Sequence, residues 1–152
     1  MRVAEGLVLR ADIRKRIEQL KERIKLSALV QEGEEPPEDP EALLTEVGRL
    51  LEQFTSLVER INRSNLQITL PDGRTLTSAL AERDSYSLHY NLLQSTAEAA
   101  SPKVDRLGRA EIRKIPAVNV AALRKQMDEI ARRRRELDTL IQAANWTTDL
   151  LD

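Results

Sequence analysis

The chain has 152 residues, the usual size of one domain. Charged residues make up 32% and aromatic ones only 3%, which suits long helices meeting along narrow aliphatic seams better than a thick globule. With 24 basic and 25 acidic side chains, the net charge of -1 provides no overall attraction to nucleic acid or an anionic membrane, and the lack of cysteine excludes disulfides, thiolate metal sites and cysteine nucleophiles.

Charges from Arg2 to Arg16 interrupt any signal-peptide core, and no run approaches the ~18 apolar residues of a membrane helix, so a soluble cytoplasmic protein is expected. From about Val3 to Val30, Ile13, Ile17, Leu20 and Ile24 alternate steps of four and three, predicting a first helix with one apolar seam. Residues 31–40, QEGEEPPEDP, cannot continue it, because Pro36 and Pro37 lack backbone donors and restrict their predecessors. Asp39 can cap a new helix, Pro40 fits its first position and Glu41 suits its positive end.

The second helix, about Pro40 to Asn62, places Leu43, Val47, Leu50, Phe54, Leu57 and Ile61 on one seam. Leu44, Leu51 and Val58 widen it enough to pack against two neighbours. The short preceding loop predicts an antiparallel hairpin with the first helix. LQITL then alternates apolar and polar residues before Pro71, Asp72 and Gly73, predicting a β-hairpin from Leu66 to Thr77. Because an isolated ribbon is marginal in water, it is expected to pair with a later extended segment or with another copy.

Thr77 or Ser78 is expected to cap a third helix from about Ala79 to Ala100, with a weak stripe of Leu80, Leu88, Leu92 and Leu93 and packing through small residues. Ser101 and Pro102 end it; the stretch from Lys103 to Val118 reads as extended, with Glu111 to Ile115 the remaining strand candidate. Asn119 can cap the last helix, whose seam of Val120, Leu123, Met127, Ile130, Leu137, Ile141 and Ala144 is interrupted only by Arg134. The fold class is therefore mainly α: a single domain of long antiparallel amphipathic helices in a four-helix, coiled-coil-like arrangement with a small β-hairpin. Its segments are a first helical hairpin over 1–62, the β-hairpin over 63–78, the third helix and extended segment over 79–118, and the last helix and tail over 119–152.

Few residues suggest chemistry. Arg132, Arg133, Arg134 and Arg135 form a possible interaction site through charge-assisted hydrogen bonds, but a helix spreads them around its circumference. Asp128, Glu129, Glu136 and Asp138 each lie four residues from an arginine, so an ion-paired face is expected. Glu32, Glu34, Glu35, Glu38 and Asp39 lack the spacing of a calcium loop and read as a solvated linker. His89, with Ser85 one turn earlier, has neither a nucleophile elbow nor an oxyanion loop beside it. The sequons at Asn62-Arg63-Ser64 and Asn145-Trp146-Thr147 read as turn and capping residues, and Trp146 as the closure of a core end. No enzyme, cofactor or metal centre is expected.

LRADIRKRIEQLKERI, QEGEEPPEDP, INRSN, DGRTLTSALAERD and NWTTDL, spanning nearly the whole chain, resemble the septicolysin-like family of uncharacterised bacterial proteins. The resemblance implies a bacterial helical protein, and the family's name a cytolysin, without catalytic residues to carry over. The residues favour a structural or interaction protein that forms homo-oligomers through its helix seams and ribbon, with an unknown protein as a further possible partner. The alternatives are a nucleic-acid-binding arm on the last helix, similar in general shape to the coiled-coil arm of seryl-transfer-RNA synthetases, and a membrane-active protein; nucleic acid and membrane are the less favoured partners.

Overall fold

A computed structural model of the chain describes residues 1–101 and 113–152. Four α-helices run through the described residues: α1 (Val3–Ser27), α2 (Pro40–Gln67), α3 (Leu76–Ala99) and α4 (Val120–Thr147). The chain divides into two compact units, one of Met1–Thr69 with Gln142–Asp152, the other of Leu70–Ile141.

In the first unit α1 and α2 form an antiparallel hairpin. α1 opens where Glu5 Oε2 accepts the Arg2 backbone N–H at 2.6 Å, and it stops at Ser27 rather than Val30. Gly33, at φ 87°, and the bond from Glu34 N to Gln31 O turn the chain back. Asp39 then caps α2 by accepting the Glu41 backbone N–H at 3.0 Å, with Pro40 at the first helical position. Ile13 and Leu20 of α1 and Leu43, Leu50, Leu57 and Ile61 of α2 are buried, each contributing about 1.5–3 kcal/mol of apolar burial.

The chain ends close on this hairpin. Val3 N–H donates to Thr148 O at 3.0 Å and Leu150 N–H to Met1 O at 2.8 Å, while Arg2 bonds Thr147 O and pairs with Asp149. From α2, the Arg60 guanidinium reaches Leu151 O and the Asp152 carboxylate, and Arg63 reaches Asp152 O. Ser64, fully buried, accepts the Leu151 N–H at 3.0 Å and donates to Arg60 O at 2.9 Å. Leu150 of the tail also packs over Gly6 of α1, where a Cβ would lie 3.2 Å from Leu150 Cδ2.

The expected β-hairpin is not formed, for no sheet is present among the described residues. α2 continues past Asn62 to Gln67, and the Ile68 N–H bonds Ser64 O, closing the helix instead of starting a strand. The alternation in LQITL arises because Ile68 and Leu70 are both buried, one at a helix end and the other in a turn. Leu70 N–H donates to Arg74 O, Gly73 N–H returns to Leu70 O, and Gly73 takes φ 86°. Arg74 stiffens this turn by pairing with Asp72 and Glu82, and its guanidinium holds the Asp72 carboxyl below its ordinary value.

Thr75, rather than Thr77 or Ser78, caps α3 by accepting the Ser78 N–H. The buried face of α3 is Leu76, Ala79, Leu93 and Ala97, joined by half-buried Tyr86 and Tyr90, whereas the expected Leu88 and Leu92 are exposed. Tyrosine and alanine thus build the stripe, and Tyr86 keeps its hydroxyl satisfied on Glu82. Leu93 packs with Met127, Ile130 and Leu123 of α4, which Asn119 caps by accepting the Ala122 N–H. The pairs Arg83–Asp138 and Arg134–Ser87 show that α3 and α4 are antiparallel. Of the strand expected over Glu111 to Ile115, Glu111 and Ile112 lie outside the described residues, and 113–115 are not strand.

Candidate functional site

The two long edges of the α1–α2 hairpin are built differently. One is closed by Arg16 with Glu46 and Arg23 with Glu38, and the Arg23 guanidinium holds the Glu38 carboxyl below its ordinary value. The other edge carries Leu44, Val47, Leu51, Phe54 and Val58, whose steps of three and four make a second apolar seam one position round from the buried one. Leu44 and Leu51 remain 49% and 48% exposed, with Val47, Phe54 and Val58 half-buried beside them. Ile17 and Ile24 of α1 form its opposite wall, also half-buried.

Charge and glycine complete this edge. Beyond the apolar seam, α2 presents Glu41, Gly48, Glu52 and Glu59, and α1 presents Arg10, Arg14 and Lys21. Arg10, Arg14, Glu52 and Glu59 make no ion pair among the described residues. Gly48 lies inside α2 with no atom within 4 Å of where its Cβ would stand. A glycine there costs about 0.5–1 kcal/mol relative to alanine, and no neighbour within the described chain requires it.

The four arginines of α4 divide into two pairs. Arg132 bonds Glu129 and Glu136, and Arg133 also bonds Glu129, so the two hydrogen bonds, Arg132's first, hold the Glu129 carboxyl down at about 2. Arg134 and Arg135 have no carboxylate partner among the described residues, and Asp138 pairs instead with Arg83 of α3 at 2.9 Å. Arg134 is exposed rather than buried in the seam, and its Nε–H donates to Ser87 Oγ at 2.7 Å. Arg134 and Arg135 line a groove of about 420 Å³ with Ser87, Tyr90, Asn91, Ile130 and Ala131.

The other candidates are dispersed. His89 and Ser85 are both exposed on α3. Glu38 pairs with Arg23 and Asp39 caps α2, while Glu32, Glu34 and Glu35 are exposed; no cluster of three or more potential metal ligands exists among the described residues. Both sequons lie within helices, where Asn145 and Ser64 are buried, in place of the expected turns. Trp146 is 59% exposed and closes no core. The closure of Ser64, Arg60 and Arg63 on the tail had no signal in the sequence, because their partners are main-chain groups about 90 residues away.

A solved structure described as a functionally unknown conserved protein from Corynebacterium diphtheriae is similar to the chain at a TM-score of 0.92 and 35% identity, over 99% of this chain and 98% of that one. No curated protein matches. The septicolysin-like assignment is overturned by these comparisons: the match that covers the quoted motifs is to a different family, and the structural neighbour carries no toxin description. No described helix is long and apolar enough to cross a membrane. Residues 10–150 match the model of the family of unknown function DUF6847, and the chain belongs to that family.

Proposed function

We propose that the protein is a non-enzymatic assembly module whose α1–α2 hairpin docks onto a second copy of itself. The observation that carries this reading is the unclosed edge of the hairpin, where Leu44 and Leu51 stay half-exposed along a regular apolar seam. The rims support a second copy as the occupant. A two-fold axis parallel to the helices sets each α1 against the partner's α2, bringing a basic rim onto an acidic one and keeping every neighbouring pair antiparallel. Register follows from Arg16–Glu46 and Arg23–Glu38: Arg10 is level with Glu52, and Lys21 with Glu41. Gly48, which has no neighbour of its own, suits close approach of the partner helix.

Sedimentation over a wide concentration range tests this. The expected result is a two-copy mass that dissociates on dilution and is lost in the double variant Leu44→Gln and Leu51→Gln. Half-burying four leucines across a two-fold interface is worth roughly 4 kcal/mol, so Kd should rise about a thousandfold. A one-copy mass at millimolar concentration, or a dimer indifferent to the double substitution, overturns the reading.

A further inference from the structure

Independently of self-association, we infer that the groove between α3 and α4 binds a small amphipathic oxyanion, a molecule with a carboxylate or phosphate head and an apolar body. Arg132 and Arg133 are neutralised by Glu129 and Glu136, whereas Arg134 and Arg135 face the groove without a carboxylate among the described residues. The cationic part of the run is therefore confined to one place, too small for a polynucleotide backbone but matched to a single oxyanion.

The groove supplies the remaining chemistry. Arg134 is held by donating its Nε–H to Ser87 Oγ at 2.7 Å, which leaves its two terminal nitrogens as a fork. The Tyr90 hydroxyl and the Asn91 carboxamide have no hydrogen-bond partner among the described residues and border the same space. Ile130, Ala131 and the Tyr90 ring form an apolar floor, and about 420 Å³ is within the range of small-molecule sites. Arg134 stands on the line from Met127 to Ile141 yet is exposed, so its guanidinium is presented at the groove rather than to the core.

The test is amide NMR of the full chain titrated with octanoate and octyl phosphate, each below its micelle concentration, against acetate and 1-octanol. At least one amphipathic anion should shift the amides of Ser87, Tyr90, Asn91 and Ala131 saturably, and the stronger of the two identifies the head group. Acetate and octanol should bind at least tenfold more weakly. Replacing Arg134 and Arg135 by Gln should weaken anion binding at least tenfold, whereas Arg132→Gln with Arg133→Gln should change it less than twofold. Equal binding of octanol, shifts confined to other residues, or equal losses in the two double variants overturn the inference.

Discussion

Removing one hydroxyl should loosen the closure of the chain ends on the first unit. Ser64→Ala deletes an oxygen that is fully buried and accepts the Leu151 N–H at 3.0 Å while donating to Arg60 O at 2.9 Å. The Arg60 carbonyl keeps its helical partner, so losing the second bond costs little. The Leu151 N–H is left without an acceptor in a part-buried place, which costs about 1–3 kcal/mol. A total near 2 kcal/mol predicts a fall in Tm of roughly 4–8 °C for a chain of this length, and roughly thirtyfold faster amide exchange at Leu151. Thr45→Ala is the control, because Thr45 makes the same back-bond to Glu41 O at 2.9 Å from an exposed position with no second partner. Urea titration and exchange NMR on both variants read the difference. If Ser64→Ala costs no more than Thr45→Ala, and Leu151 exchanges at its original rate, the hydroxyl does not hold the tail.

Ser27, 3% exposed, has a hydroxyl oxygen with no hydrogen-bond partner among the described residues, so Ser27→Ala should stabilise the chain by about 1 kcal/mol and raise Tm by about 2–4 °C in calorimetry; a fall in Tm would refute this. Glu129 should titrate at about 2 rather than at its ordinary 4.5. Because the folded value is the lower one, its contribution to stability is complete above pH 4.5 and is lost as pH falls from there through about 2. Carboxyl-carbon NMR checks the midpoint: a value at 4.5 in the folded chain, or one unmoved by Arg132→Gln, would contradict the pairing.

What could be read from the sequence was what repeats along one helix. α2 is legible from its seven-residue spacing, its start from Asp39 and Pro40, and the reversal before it from the prolines. The bundle of main-chain and arginine bonds at the chain ends was hidden, since nothing local marks Ser64 as an acceptor for a residue 87 positions on. The β-hairpin reading failed because two-residue alternation is also produced where a helix end and a turn both point apolar groups inward, as Ile68 and Leu70 do. α3 was mistaken in its face because its core is made of Ala79, Tyr86, Tyr90 and Ala97, types that a search for aliphatic stripes discounts. The arginines' partners also depended on another helix: Asp138, one turn from Arg134, pairs with Arg83 of α3.

The two hairpins solve the same packing problem and differ where packing makes no demand. Each buries a seam of steps of three and four, and in each the positions next to that seam are dispensable for folding. In the first unit one such edge is closed by ion pairs and the other is apolar with a bare glycine. In the second, the edge next to the seam carries Ser87, Asn91, Arg134 and Arg135 around a groove. A purely structural rod gains nothing from unpaired guanidinium groups beside an apolar floor, nor from leucines half in water along a continuous line. Chain association and small-anion binding are the two uses proposed for those residues, and because they occupy separate hairpins, substitutions that remove one should leave the other intact.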